Sequence, residues 1–487
     1  MYLGLDLGTS ELKALLLADD HRVFAVAHAP LTVQQPRPLW SEQQPEAWWD
    51  ALVSVMDQLA ASHADVLKAV RAIGLSGQMH GAVLLDAQDR VLRPAILWND
   101  GRSGAACAAL AQAVPELAQI TGNLAMPGFT APKLCWLREH EPDIFKATAR
   151  VLLPKDYLRL RMTGEAVTDC SDASGTLWLD VAARRWSPRM LEACGLDESH
   201  MPRLVEGSEV AAGLSPAFAA RWGLRAGTPV AGGGGDNAAS AVGMGVVAAG
   251  QGFVSLGTSG VVFLATDRFR PNPAQAVHAF CHALPGRWHQ MAVMLSAASA
   301  VRWATHLLGF ADEAAMLEAA ASLAPAACAR APLFLPYLSG ERSPHNDPQA
   351  QGVLFGLSHS HDKAAVAYAV AEGVGFGLYD GWRSLSADAP VRALSVVGGG
   401  GRSAWWVQQL ANTLAVPMEV LEGAATGAAL GAARLAWLAD GGCINDVCLS
   451  PPVQRRFDPA PQPPEMAARY RRFGALYPAL KSSFAAS

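Results

Sequence analysis

The chain has 487 residues, well beyond the roughly 250–300 at which a single hydrophobic core stops growing, so at least two domains are expected. Hydrophobic residues make up 51% and charged residues 17%, enough apolar material to exclude a wholly disordered chain. With 38 Lys and Arg against 43 Asp and Glu the net charge is −5, and no basic footprint for nucleic acid is present.

Eight cysteines without a Cys-x-x-Cys pair fit free thiols in a reducing compartment better than a disulfide scaffold. The opening Met1-Tyr2-Leu3-Gly4-Leu5-Asp6 lacks the basic region of a signal peptide. No uncharged apolar run reaches the about 18 residues that would read as a membrane span. These features predict a soluble, cytoplasmic protein with neither a membrane nor a nucleic-acid partner.

In chain order, Tyr2–Leu7, residues 12–17 and residues 22–27 read as strands joined by the turns Gly8-Thr9-Ser10 and Ala18-Asp19-Asp20-His21, an antiparallel meander. A helical pattern follows over 45–61 and a short strand over 72–75. Strands and helices interleave from there, which predicts an α/β protein. The strand–turn–strand opening has an echo about half the chain later. Asp6-Leu7-Gly8-Thr9-Ser10 resembles Ser255-Leu256-Gly257-Thr258-Ser259, and both lie between apolar runs. Such a repeat predicts two domains built on one plan, 1–245 and 246–487, with the boundary near 243–250. The uncharged stretch 243–265 reads as loop plus strands. Residues 393–397 read as a strand, followed by the run Gly398–401 and helices over Ala404–Leu414 and 426–439. The Pro-rich stretch 450–464 reads as an extended crossing segment, and 466–484 as a helix packed back on the body.

Several of these elements can carry chemistry. In Gly8-Thr9-Ser10 and Gly257-Thr258-Ser259, glycine allows close approach, while N–H groups and hydroxyls can cradle phosphate oxygens. One copy would be an ordinary hairpin turn; two matched copies favour phosphate clamps facing one cleft. The run Gly232-Gly233-Gly234-Gly235 predicts a chain passing close to a ligand, with Asp236 at its end projecting a carboxylate into the site. Gly398–401, between a strand and a helix, reads as a nucleotide-holding turn or a tight connection. No Gly-x-Gly-x-x-Gly phasing and no Gly-Lys pair exists, which excludes Rossmann and P-loop nucleotide sites. Asp6 stands alone at the end of an apolar strand, where a phosphate-bound Mg²⁺ would justify it; Lys13 could reach a phosphate or be solvated. Gly77-Gln78-Met79-His80-Gly81 and Trp98-Asn99-Asp100-Gly101-Arg102 are polar loops at strand ends, where α/β sites lie. His278 and His282 have ligand-like spacing, but on a strand they are too far apart for one ion and read as packed or surface histidines.

Taken together, Asp6–Ser10, Gly257–Ser259, Gly398–Gly401 and Gly128-Phe129-Thr130-Ala131-Pro132-Lys133-Leu134-Cys135-Trp136, in this order, resemble the FGGY carbohydrate kinases of the actin-like ATPase superfamily. The resemblance runs over nearly the whole chain. It implies two actin-like (ribonuclease H-like) ATPase domains around a central cleft, a sugar-binding N-terminal one and an ATP-binding C-terminal one. Leu39-Trp40-Ser41-Glu42-Gln43, residues 77–81, Ile96-Leu97-Trp98-Asn99-Asp100, Leu153-Pro154-Lys155-Asp156-Tyr157 and Leu338-Ser339-Gly340-Glu341-Arg342 resemble members acting on D-xylulose. Glycerol-specific members carry Arg-Glu where this chain has Met79-His80. The resemblance implies Asp236 as general base, with Met79, His80, Asp236 and Asn237 lining the sugar. Asp6 would serve Mg²⁺ and ATP. Gly8, Thr9, Ser10, Lys13, Gly257, Thr258 and Ser259 would hold phosphates, and Gly399 and Gly400 the adenosine. It leaves room for a homodimer. Other acceptors within the family, or an actin-like ATPase without a small-molecule acceptor, are the alternative readings.

Overall fold

The computed structural model describes residues 1–423, 426–461 and 463–484. Its first mixed sheet runs in the order Val210–Gly213, Pro229–Ala231, Ala72–Gly77, Tyr2–Leu7, Glu11–Leu17, Val23–Pro30, and Gly234–Gly235 also pairs with Ala72–Gly77. The meander forms as its two turns predict, each strand antiparallel to the next. The chain then crosses through helix Pro45–Lys68, which has Pro45 and Glu46 in its first turn. This helix buries Trp48, Leu52, Val55, Met56 and Leu59, a stripe at helical spacing, and the chain returns as the parallel strand Ala72–Gly77.

The second sheet repeats that plan. Gly252–Leu256 is antiparallel to Gly260–Thr266 on one side and parallel to Leu394–Val397 on the other. Met418–Leu421 follows in parallel, and Val453–Phe457 closes that edge in antiparallel. Trp288–Met294 and His278–Cys281 complete the opposite side as a hairpin. The two echoed pentapeptides thus occupy the same strand–turn–strand position in the two sheets. The Pro-rich stretch is extended as expected, and part of it is an edge strand. Pro451 and Pro452 precede that strand, at an edge where a missing N–H costs no ladder bond. Gly399–Arg402 forms one 3₁₀ turn rather than a plain loop.

Helix Gly427–Ala439 lies in sequence between strands Met418–Leu421 and Val453–Phe457 of the second sheet but packs on the first sheet. Its Ala429, Leu430, Ala433 and Ala436 share a core with Tyr2, Leu15, Leu17 and Ala72. The fit requires glycine on both sides. A Cβ on Gly4 would lie 2.1 Å from the Ala429 carbonyl oxygen, and one on Gly74 would lie 1.9 Å from that of Ala432. The same helix crosses helix Asp236–Gly243 with Gly431 against the Ala239 carbonyl, and Arg434 donates to Val242 O and Gly243 O at 3.0 and 2.9 Å. At the far end, helix Pro464–Phe484 docks through Phe473, Tyr477 and the buried Arg469, which donates to Glu372 Oε1 at 2.8 Å. Among the described residues, no helix is long and apolar enough to cross a membrane.

Candidate active site

The parallel register of the first sheet brings two candidate carboxylates to one edge. Asp6 is level with Ser76, and Ser76 with Gly234. One residue further, Leu7, Gly77 and Gly235 are level, and Asp236 follows as the first residue of helix Asp236–Gly243. With adjacent strands about 4.8 Å apart, Asp6 and Asp236 share the mouth of the sheet. Burial pushes the Asp236 carboxyl up to about 6, the Asp6 charge adds to the rise, and hydrogen bonds from Asn237 oppose it. Burial also raises Asp6, against the Ser76 hydroxyl and the pull of Lys13, and its Oδ1 is buried with no partner at hydrogen-bond geometry. Asn237 donates to Asp236 Oδ1 from its backbone N–H at 2.7 Å and from its side-chain amide at 2.9 Å, fixing the carboxylate's direction.

The glycine run before Asp236 is close-packed against the protein itself, and this corrects the expectation of a run shaped by a passing ligand. A Cβ on Gly232 would stand 2.2 Å from Glu206 O, one on Gly233 (φ +80°) 2.1 Å from Leu75 O, and one on Gly235 2.8 Å from the Met79 side chain. Below it lies a fully buried charge cluster. Lys155 Nζ is 2.6 Å from Asp156, 2.8 Å from Asp169 and 3.1 Å from Asp172. Arg159 pairs with Asp156 at 2.7 Å and donates to Gly232 O. Two cations face three carboxylates, and burial drives Asp172 well above the usual carboxylate range against the pull of Lys155. Ser171 Oγ donates to Asp169 Oδ1 (2.5 Å) and accepts from Gly235 N (3.2 Å). The cluster therefore grips both ends of the glycine run that delivers Asp236.

His80 has a left-handed backbone, φ +69°, a conformation unusual for a side chain with a Cβ and one that concentrates at functional sites. Its carbonyl accepts from Thr130 Oγ1 (3.1 Å) and Lys133 Nζ (2.7 Å), and its Nδ1 is 2.6 Å from Gly175 O. Burial pushes the imidazole down to about 3 and the Lys133 ammonium down to about 7. His80 is therefore a neutral hydrogen-bonding group, and its ring packs edge-on to Phe129 at 4.8 Å. Met79 is 6% exposed and fills the space left by Gly175 and Gly235.

One polar network joins the first turn to the other candidate loops. Thr9 Oγ1 donates to Gln78 Oε1 (3.1 Å) and accepts from Trp98 Nε1 (3.0 Å). Gln43 donates to Thr9 O (2.8 Å), while its Oε1 accepts from Gln78 Nε2 (2.9 Å) and Trp48 Nε1 (2.9 Å). Lys13 pairs with Glu11 at 3.3 Å. In the second sheet, the backbone of Gly257 and Thr258 accepts from Ala298 N (2.9 Å), Ala297 N (3.0 Å) and Ser299 Oγ (2.7 Å), anchoring that turn to helix Ala298–Leu307. The same helix lines a cavity of about 760 Å³ with Arg302, Glu313, Leu317, Gly399, Gly400, Ser403 and Trp405. A Cβ on Gly400 would meet Leu256 and Trp406 at 2.7 Å, so this glycine seats the turn on the strand that ends at Leu256. The cavity is large enough for a nucleoside, and the second turn stands beside it.

The donor set suits Mg²⁺ carried on phosphates. Among the described residues, no cluster of three or more His, Cys, Asp or Glu forms a metal cage, whereas Asp6 offers a buried oxygen with no other partner. One or two carboxylates plus phosphate oxygens is the usual Mg²⁺ arrangement at a nucleotide. Sequence reading found the carboxylates, turns and loops but missed Ser171, Arg159, Asp169 and Asp172. Their only signal is long-range contact.

Residues 1–243 match the N-terminal domain of the FGGY family of carbohydrate kinases, and residues 252–439 match its C-terminal domain. A protein named xylulose kinase from Escherichia coli (strain K12) is 54% identical over 440 residues, 90% of each chain, and one from Bacillus subtilis (strain 168) is 36% identical over 436 residues, 88% of this chain and 87% of its own. The crystal structure of a xyloylose kinase from Brucella ovis superposes with TM-score 0.95 at 50% identity, covering 99% of both chains. A gluconate kinase from Lactobacillus acidophilus superposes with TM-score 0.90 at 25% identity, covering 100% of this chain and 98% of its own. The fold is that of the actin-like ATPases, the catalysed step is ATP-dependent phosphoryl transfer to a sugar, and the chain belongs to the FGGY family of carbohydrate kinases.

Proposed function

We propose that this enzyme transfers the γ-phosphoryl group of ATP to the terminal hydroxyl of D-xylulose, giving D-xylulose 5-phosphate and ADP, with Asp236 as general base. The relatives named xylulose kinase support the acceptor. The observation that carries the base is the Asp236 carboxyl itself. It is raised to about 6, aimed by Asn237, and delivered by a glycine run packed closely against Glu206, Leu75 and Met79. A base with that affinity is ionised at neutral pH yet basic enough to take a hydroxyl proton.

The chain's own groups divide the work. Asp236 accepts the proton of the attacking hydroxyl as the O–P bond forms, while the bond to the ADP oxygen breaks. Met79, His80 and Asn237 shape the acceptor side; neutral His80 spends its Nδ1 proton on Gly175 O, which leaves Nε2 as an acceptor. Gly8, Thr9, Ser10 and Lys13, together with Gly257, Thr258 and Ser259, hold the phosphates from the two sheets. Gly399 and Gly400 wall the nucleoside cavity. Asp6 would hold Mg²⁺ on the phosphates, where the ion would supply charge neutralisation. Residues 1–245 act as the sugar lobe and 246–487 as the ATP lobe.

The test is ADP release with Mg-ATP across D-xylulose, D-ribulose, L-ribulose, L-fuculose, gluconate and glycerol. Strong stimulation by D-xylulose is expected. Preference for another acceptor would move the specificity and keep the chemistry; stimulation by none would overturn the proposal.

A further inference from the structure

Residues 341–343 carry a cation into the cleft that the mechanism above does not use. Their backbone is stitched to strand Trp288–Met294. Ser343 N donates to Val293 O (3.0 Å), Val293 N donates to Ser343 Oγ (3.1 Å), and Glu341 Oε1 accepts from Leu295 N (2.9 Å) and Arg342 N (2.7 Å). The Arg342 guanidinium then reaches His278 on the neighbouring strand, NH1 to Nε2 at 3.2 Å. The tautomer follows from the next partner. Asn123 Nδ2 donates to Thr121 O (2.7 Å) and Ala279 O (3.0 Å), so its Oδ1, 2.9 Å from His278 Nδ1, must accept. His278 therefore carries its proton on Nδ1, and Nε2 accepts from Arg342. Asn123 lies on the first-lobe side and His278 on the second, so apposition of the lobes sets the direction of the guanidinium.

Among the described residues no salt bridge forms to Arg342, and burial lowers its affinity for its proton against the pull of the neighbouring Glu341. Burial pushes the adjacent Glu341 carboxyl up to about 8, which makes it a weak counter-charge to Arg342 at neutral pH. A buried guanidinium that spends one of its five N–H groups on a neutral ring is an expensive arrangement unless a ligand completes it. Its surroundings give the place of that ligand. The His278 ring stacks on Phe280 at 5.4 Å. Phe280 stands 6.2 Å from the His80 ring, and Phe129 bridges His278 (5.5 Å) and His80 (4.8 Å). Arg342 is thus at the His80 end of the acceptor side. Its charge bears on His80 but is not among the charges acting on Asp236 or Asp6.

We infer that Arg342 binds the non-reacting end of the acceptor, its planar fork taking the C1 hydroxyl and C2 carbonyl oxygens of an open-chain 2-ketose. The inference rests on the D-xylulose reading above, and the chemistry of that sugar supplies the reason. Ring closure of D-xylulose uses O5 to attack C2, so the O5 hydroxyl is free for phosphoryl transfer only in the open-chain form, which also exposes the C2 carbonyl. A fixed cationic fork matched to two acceptors on adjacent carbons selects that form. The corresponding polyol, xylitol, lacks the carbonyl and gains less from it.

The test uses steady-state kinetics of the full chain and of Arg342→Met, with xylitol as competitive inhibitor against D-xylulose. The variant is expected to raise KM for D-xylulose by about ten- to a hundredfold, the scale of one or two lost charge-assisted hydrogen bonds. KM for ATP should stay in place, and the xylitol inhibition constant should move by less than about threefold on the same scale. Arg342→Lys keeps charge and stem without the fork and is the second variant should Arg342→Met fold poorly. It should show a smaller, sugar-only loss. A D-xylulose KM within twofold of the parent in either variant, equal weakening of D-xylulose and xylitol, or an ATP KM rising in step would each overturn the inference. A parent enzyme that ignores D-xylulose would instead overturn the proposed acceptor.

Discussion

Asp236 and Asp6 meet at one sheet edge, and their titration should be visible in catalysis. Because Asp236 is raised to about 6, kcat/KM should fall as pH drops through 6. Asp236→Asn should reduce kcat by at least about 10²-fold, the scale of a lost general base, and should abolish that limb. A turnover near the parent's would remove Asp236 from the chemistry. The same raised affinity has a sign in stability. The folded state holds a proton that the unfolded chain releases at the ordinary aspartate value of 3.8. Favourable linkage is therefore full below about 3.8 and lost as pH rises through 6. Asp236→Asn should accordingly raise Tm at pH 8, with no gain near pH 3.5, as read by calorimetry. Asp6→Asn removes the like charge that helps hold Asp236 up. Its acid limb should shift to lower pH, and its KM for Mg-ATP should rise more than its KM for sugar. An unmoved limb with unchanged ATP kinetics would make Asp6 structural only.

At the scale of elements, the molecule is held by helices that approach through small residues. An added Cβ at Gly431 would stand 1.7 Å from the Ala239 carbonyl, a rigid backbone atom, so the helices Gly427–Ala439 and Asp236–Gly243 must separate to admit one. Gly431→Ala should destabilise by about 1–3 kcal/mol, the usual cost of overpacking, and should lower Tm by several degrees. A Tm within a degree of the parent would show that the crossing is looser than its geometry. Ser171 acts on the strand that delivers the base. Removing its hydroxyl leaves Gly235 N–H without that acceptor. Ser171→Ala should lower kcat by about tenfold, the worth of one hydrogen bond of about 1.4 kcal/mol, leave KM for ATP unchanged, and recover in Ser171→Thr. An equal loss in the Thr variant would point to packing instead.

At the scale of the whole molecule, two sheets of one plan each present a Gly-Thr-Ser turn, and the nucleoside cavity and the acceptor loops lie on different sheets. Chemistry then requires the lobes to come together, and water must be kept out while they do. D-xylulose and a non-hydrolysable ATP analogue together should raise Tm by more than the sum of their separate shifts, since each ligand favours the apposed state that the other needs. Strictly additive shifts would mean that the lobes do not couple. ADP release without sugar should remain a small fraction of the stimulated rate.

How much of this was legible before folding differs by range of interaction. The meander, a helix over 45–61 (which the structure extends to Lys68) and the echo of residues 6–10 at 255–259 follow from turn chemistry and periodicity within a few residues, which any fold must respect. The glycine run marked a place of close approach, although the partners that require glycine there are Glu206, Leu75 and Met79, all distant in sequence. The grip of Arg159, Asp169 and Ser171 on the base's strand, the packing of helix Gly427–Ala439 on the opposite lobe, and the Asn123–His278–Arg342 chain had no local signal. Each joins side chains tens to hundreds of residues apart, and only the topology of two interlocked lobes decides that they meet. The sequence alone determined which groups could do phosphoryl-transfer chemistry, because glycine turns and lone acids show themselves locally. Tertiary structure decided their ionisation, aim and neighbours, because burial and long-range charge set those.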